Sequence, residues 1–332
     1  QEHYQKHGMI EGRKWSFSRL RYDRATAENP QIFYFHTPKT AGTSINSYFT
    51  SCFRNSITHA ESQGDRLSED FLARYQYASG HLSHSRISRM LGHNWVKIIS
   101  FREPYSQVIS HLAWVRRLAD KGEERRFKSH PKKFQNIALK MKKMDFSNAA
   151  DLHDLAEWLK SINFNYFFNT QTIYLDSNKN LSVALENLYN FDFVVISEEM
   201  DTFFQIMNAE FSPDNVYRKT AWENINEKKY GFDIENKETR LALLPFIEKD
   251  IVVYSEAKRI FNTLAHEYEK GSRDDIMGGV DDISLGVING WCRFKSSLKK
   301  VDLELRKDGV ILAKSQANLF RAALKEKGIH PT

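Results

Sequence analysis

Cysteine is scarce in this chain. Cys52 and Cys292 are the only two in 332 residues, they lie far apart, and neither belongs to a CxxC pair or has a histidine at ligand spacing. A disulfide framework and a cysteine-rich zinc site are thereby excluded, and a reducing compartment, the cytoplasm, is the simpler expectation. Long apolar runs are also missing. The longest, such as FDFVVI at 191–196, fall far short of the roughly 20 residues that cross a bilayer, so no membrane span is expected. The N-terminus has no basic segment followed by an apolar stretch and a small-residue cleavage site, so no signal peptide is expected. The chain begins at Gln1 without a methionine, which keeps the Golgi lumen as the alternative location if an anchor has been removed. No internal repeat of useful length occurs.

Positive charge is unevenly placed. Residues 116–143 hold eleven Lys/Arg against Asp120, Glu123 and Glu124, a local +8 within a total of +6, so the remainder is near −2. Such a block is either a solvated helix face or a surface that attracts an anionic polymer.

After a polar arm over 1–29, in which Gly8 and Gly12 interrupt any helix, the sequence alternates between buried strands and helical periodicity. QIFYFH after Pro30 reads as a buried strand, and PKTAGTS opens a helix through Ile45, Tyr48 and Phe49. WVKIIS at 95–100 is a second strand, followed by FREP and a helix carrying Val108, Ile109, Leu112 and Val115 on one face, with Pro104 in its first turn. FDFVVI is a third strand, ahead of Ser197 as a helix cap and an amphipathic stretch from Met200 to Met207. Further helices are expected at 149–161, 181–189 and 238–268. Strands alternating with helices imply an α/β fold with a central parallel sheet covered on both faces, here over residues 30–270. Residues 271–332 read as a glycine-rich linker at 271–279 and then a small, partial β-rich unit, with a hairpin around Asp308-Gly309.

The chemistry concentrates where strands give way to helices. A strand-to-helix loop offers backbone N–H groups and partial positive charge to an anion, and Thr37 to Ser44 occupies that place. Gly42 allows close backbone approach, Thr43 and Ser44 add hydroxyls, and Lys39 adds a charge. The Walker loop of ATP-binding proteins sets its lysine directly after the last glycine, whereas Lys39 precedes Gly42, an order that argues against a kinase or ATPase. In the second unit, Arg102 ends a strand and Ser110 follows two helical turns later, so both can turn toward one ligand. Among the histidines, a neutral imidazole able to take a proton from a hydroxyl is offered by His81 in ASGHLSHSR, with His84, His59 and His111 as rivals.

These segments together resemble the PAPS-dependent sulfotransferase family. PKTAGTS at 38–44 differs by one small residue from the 5′-phosphosulfate loop PKTGGTS, and FREPYSQVIS at 101–110 resembles the 3′-phosphate-binding strand and helix. Gly80-His81, VVISEEMDTFF at 194–204, YRKT at 217–220 and VYSEAKRIF at 253–261 extend the similarity, over about 31 to 265, to the glycan (heparan sulfate/uronyl) 2-O-sulfotransferases. The resemblance implies a P-loop-like three-layer fold with PAPS as donor and PAP as product. It implies Pro38, Lys39, Thr40, Ala41, Gly42, Thr43 and Ser44 around the phosphosulfate, and Arg102 and Ser110 on the 3′-phosphate. Arg218, Lys219 and Thr220 would contact the donor or an acidic sugar, and His81 and Lys39 would be catalytic. It further implies a carbohydrate acceptor, anionic in some relatives, and neither metal nor nucleic acid. A polyanion-binding module built on the basic block, showing salt-dependent binding without a nucleotide requirement, is the alternative of another class. An O-sulfotransferase acting on a protein or small-molecule hydroxyl is the alternative within the family. The flanks, HYxxxGxxEGR near the start and the GW and ANLFRAAL features near the end, resemble accessory segments of bacterial polysaccharide-assembly proteins, which implies a piece of a larger multidomain polypeptide.

Overall fold

A computed structural model of the chain describes residues 31–92, 95–211, 230–269, 276–284, 287–294, 301–307 and 310–317. The chain divides into two compact units, Gln1–Ala265 and His266–Thr332.

In the first unit the sheet strands are β1 (Gln31–Phe35), β2 (Ser56–Ile57), β3 (Tyr77–Gly80), β4 (Trp95–Phe101) and β5 (Phe193–Ile196). They lie in the order β2-β3-β1-β4-β5, and every pairing is parallel. A parallel sheet is covered on both faces, so its inner strands carry apolar side chains at consecutive positions and not at alternate ones. Ile32 to Phe35, Phe193 to Ile196 and most of β4 are buried in this way. The helices flanking the sheet are α1 (Gly42–Cys52), α2 (Glu69–Leu72), α3 (His84–Ile87), α4 (Pro104–Arg117), α5 (Glu124–Ser129), α6 (Lys132–Lys142), α7 (Ala149–Ser161), α8 (Thr170–Leu175), α9 (Leu181–Leu188), α10 (Met200–Phe211) and α11 (Lys237–Glu269). The expected helices at 149–161, 181–189 and 238–268 thus appear nearly residue for residue. Among the described residues no helix is long and apolar enough to cross a membrane.

Topology places the site. β1 sits at the centre, its onward chain leads to β2 on one side, and the onward chain of neighbouring β4 leads to β5 on the other. Where adjacent parallel strands send their connections in opposite directions, a crevice opens at their carboxyl ends. The Thr37–Ser44 loop leaves β1 at this point and Arg102 leaves β4.

Ser197 does not cap α10. It lies in a 3₁₀ turn, Ser197–Glu199, and its buried hydroxyl donates to the Phe101 carbonyl at 2.9 Å, tying β5 to β4. α4 begins as expected, with Pro104 in its first turn, while the Glu103 carboxylate accepts the N–H groups of Tyr105 and Ser106.

α8 is docked on the long helix α11, which contains Pro245. Proline carries no N–H, and around it Asn169 supplies the bonding: its N–H donates to the Phe246 carbonyl at 2.5 Å, and its side-chain oxygen accepts the Lys249 N–H at 2.8 Å. One position on, the fully buried Asp250 accepts the N–H of Gln171 (3.1 Å) and both the N–H and the hydroxyl of Thr172 (2.7 Å each). Burial lifts this carboxyl to about 6, against the pull of those donors, and at neutral pH it is still ionised.

The basic block is ordered and largely used by the fold. Arg116 stacks over the Tyr230 ring at 4.2 Å, Arg117 pairs with Glu123 at 3.4 Å, and Lys133 and Lys142 donate to the carbonyls of Ile162 and Ala119. Beneath these polar ends α6 and α7 bury Ile137, Met141, Leu152 and Leu155 against Leu112 and Val115 of α4. The long side chains cover apolar surface with their stems, which is why the charge density looks excessive in sequence.

In the second unit β6 (Ile276–Ser284) pairs antiparallel with β7 (Val287–Phe294), and β8 (Val301–Lys307) with β9 (Val310–Ala317). The expected linker at 271–279 is therefore strand from Ile276 onward. Gly278 and Gly279 sit opposite Cys292 and Trp291. Asp308-Gly309, the arm at 1–29 and the Arg218-Lys219-Thr220 segment fall outside the described residues.

Replacing Asp250 by alanine leaves two buried N–H groups and a buried hydroxyl without their acceptor. The expected loss of stability is at least about 3 kcal/mol, read from denaturant midpoints at constant slope.

Candidate functional site

The Thr37–Ser44 loop is fixed by hydroxyl groups reaching across the sheet. Thr40 donates to the Thr37 carbonyl at 2.7 Å, and its oxygen lies 2.5 Å from Ser100 Oγ, itself 2.6 Å from the Tyr34 hydroxyl. Each hydroxyl has one proton, so the bonds run in one direction: Tyr34 to Ser100, Ser100 to Thr40, Thr40 to the Thr37 carbonyl. All three hydroxyl residues are buried. Two further ties come from the β4 side, with Gln107 donating to the Pro38 carbonyl at 3.0 Å and the Arg102 guanidinium to the Lys39 carbonyl at 3.3 Å. Lys39 (φ 67°) and Ala41 (φ 63°) are both left-handed, and Ala41 precedes α1 with no side-chain oxygen capping the helix. Alternation of this kind curls a short loop into a concavity that suits an anion.

Packing within the chain also calls for glycine at position 42. A Cβ there would lie 1.9 Å from Nε2 of His36, so the space a side chain would take is filled by an imidazole of the same chain. His36, in turn, stacks on Tyr34 and on His81, at ring separations of 5.5 and 4.2 Å.

Around the loop the charges are positive. Lys39 is half-buried, and its ammonium is brought down to about 8, first by burial and then by the nearby Arg117 and Arg102. Burial also lowers Arg102, opposed by Glu198 and Glu103. Three cations acting on one another cost less when an anion is among them. Ser110 is half-buried on α4, which also carries Gln107 and Arg117. Thr43 is exposed and Ser44 buried in the first turn of α1.

The backbone of Arg102 is gripped on both sides. The Gln171 side chain accepts its N–H at 2.8 Å and donates to its carbonyl at 2.9 Å, and Gln171 belongs to the helix that Asp250 anchors. Tyr174 of the same helix places its hydroxyl 3.4 Å from His81 Nδ1. α8 therefore touches both the arginine and the histidine.

The four histidines considered from sequence have different surroundings. His81 follows β3, and its Nδ1 lies 2.7 Å from the His36 carbonyl. A carbonyl accepts only, so Nδ1 carries the proton and Nε2 of the neutral ring keeps a lone pair. Burial is the largest influence on this ring and lowers its pKa; His59 acts in the same sense, and Glu61 and the His36 carbonyl oppose. His84 is buried against Phe35 and Phe191 and held at about 4 by burial, then by Lys97. His111 is buried among Trp114, Tyr166 and Phe167, and burial holds it at about 3. His59 is exposed and its Nδ1 lies 3.2 Å from Glu61 Oε1. Only His81 among these combines a fixed tautomer with a place beside the loop.

Glu61 has no counterpart in the sequence reading. Its Oε2 accepts the backbone N–H of His81 at 3.0 Å, and a Cβ on Gly80 would come within 2.6 Å of the same oxygen. The glycine before His81 is thus what lets this carboxylate in. Donor atoms of His59, Glu61 and His81 all lie within 4.8 Å of one another. Sequence spacing could not reveal the group, because α2 and β3 intervene between Glu61 and His81. Gln171 and Tyr174 carried no signal either, since α8 is too short for a periodic pattern.

An anion held by this loop needs Lys39 protonated. Affinity for inorganic sulfate, whose charge is constant over this range, is expected in calorimetry to be flat below pH 7 and to fall above pH 8, with a limiting slope of about tenfold per pH unit. No protein-family model matches the chain, and no curated protein sequence matches it either.

Proposed function

We propose that this chain is a PAPS-dependent O-sulfotransferase that moves a sulfuryl group onto a hydroxyl of a carbohydrate. One observation carries the reading: a cationic, left-handed loop and a neutral imidazole with an available lone pair meet at the carboxyl ends of adjacent strands β1 and β3, with His36 touching both. Transfer of an anionic group to a hydroxyl asks for those two things together, an anion cradle and a base beside it.

In this reading Lys39, the Thr43 and Ser44 hydroxyls and the loop amides, that of Thr40 among them, hold the 5′-phosphosulfate, and Arg102 and Ser110 hold the 3′-phosphate. His81 Nε2 accepts the proton of the attacking hydroxyl. The hydroxyl oxygen forms a bond to sulfur as the bond from sulfur to the bridging phosphate oxygen breaks, and Lys39 and the loop stabilise the charge left on PAP. Positioning and charge stabilisation supply most of the acceleration, as in phosphoryl transfer. Gln171 and Tyr174 keep the arginine and the imidazole in place. The carbohydrate acceptor rests on the resemblance to the glycan 2-O-sulfotransferases, which also implies Arg218, Lys219 and Thr220 as contacts of the donor or of an acidic sugar.

Calorimetric titration of the chain with PAP, beside ATP, tests the donor site. Micromolar PAP affinity with weak ATP binding is expected, and a folded sample that ignores PAP would overturn the reading. Lys39→Ala and Arg102→Ala should each weaken PAP binding by about tenfold or more, as charged phosphate contacts are lost. His81→Ala should bind PAP as the parent does while turnover drops by roughly 10²–10⁴. Turnover close to the parent's would remove His81 from the role of base.

A further inference from the structure

His59, Glu61 and His81 form a compact set of two imidazoles and one carboxylate, with donor atoms within 4.8 Å of one another. Two features go beyond proximity. Metal-bound histidines commonly donate their second ring N–H to a carbonyl or carboxylate, which fixes the ring and makes the other nitrogen the donor. His81 has that arrangement already, with Nδ1 on the His36 carbonyl at 2.7 Å. Glu61 is likewise held from behind, since its Oε2 accepts the His81 backbone N–H at 3.0 Å while Oε1 faces His59.

We propose that these three side chains bind a zinc-like divalent ion, with His81 Nε2, a Glu61 oxygen and a His59 nitrogen as ligands and one position left open. Two histidines and a glutamate are a known zinc set, with nitrogen and oxygen at about 2.0–2.2 Å. Tetrahedral ligands at such distances stand about 3.4 Å apart, closer than the widest separation here. His59 supplies the adjustment: it is exposed, at 57% of its side-chain surface, and stands at the start of a 3₁₀ turn. Magnesium, which prefers oxygen ligands, is excluded by the same donor set.

The site uses the one lone pair that the transfer reaction also needs. Resting on the proposed function, the consequence is that zinc and catalysis exclude each other: an ion on Nε2 leaves no base for the acceptor, and removing it restores activity.

The test uses the full chain. Zinc affinity is measured by competition with a chromophoric chelator, and cobalt substitution is followed by visible absorption as a direct report of coordination. Expected are one tight equivalent per chain and a loss of at least tenfold in both His59→Ala and Glu61→Gln, with PAP affinity of both variants unchanged as the check on folding. Zinc should inhibit the parent and not His59→Ala. Absence of a saturable equivalent, or an equivalent indifferent to both substitutions, overturns the site. If PAP fails to bind while the zinc results hold, the sulfotransferase reading falls and the metal site stands.

Discussion

The directed chain of buried hydroxyls from Tyr34 through Ser100 and Thr40 to the Thr37 carbonyl is the constraint on which the site depends. It links two adjacent strands to the loop that leaves one of them. Polar groups buried this deeply cost free energy unless each finds a partner, and here Tyr34 donates, Ser100 and Thr40 each accept and donate, and the Thr37 carbonyl accepts. The loop cannot shift without breaking these buried bonds. A concave backbone can therefore persist at the edge of the crevice in residues that are mostly not glycine.

A second layer of support comes from the far side. α8 has only six residues, too few to be stable alone, and is held by Asn169 and Asp250 on α11. Through Gln171 and Tyr174 it reaches the arginine of one strand end and the histidine of another. Rigid elements thus position side chains that come from four separate stretches of sequence, which is what a precise site requires.

The fold was legible where burial leaves a continuous mark. β1, β4 and β5 are apolar at consecutive positions, and the helices after them keep an apolar face, so their order and parallel arrangement follow from QIFYF, WVKIISF and FVVI. Ser197 was misread because a serine before a helix caps in most settings, and only the neighbouring strand reveals the competing acceptor on Phe101. For the candidate site, the loop and Arg102 announce themselves through residue order. The four histidines do not, since what separates His81 from His84 and His111 is a hydrogen bond on one nitrogen and the apolar walls around the others. Glu61 was invisible for a related reason, since its role is made by a glycine nineteen residues away, Gly80, that leaves room for it.

Lys39 and Ala41 carry positive φ values where glycine would be at ease. Each such residue costs roughly 1–2 kcal/mol, set against a total stability of about 5–15 kcal/mol for an ordinary domain. A fold that keeps two of them within three residues has committed a sizeable part of its stability margin to the shape of one loop. Mutational tolerance should accordingly be lowest nearby, since a destabilising change in the surrounding hydroxyls draws on a margin the loop has already reduced. Exchange of Ala41 for glycine relaxes the backbone and, unlike the same exchange at Lys39, removes no charge, so the site carries its own reserve for later substitutions to use.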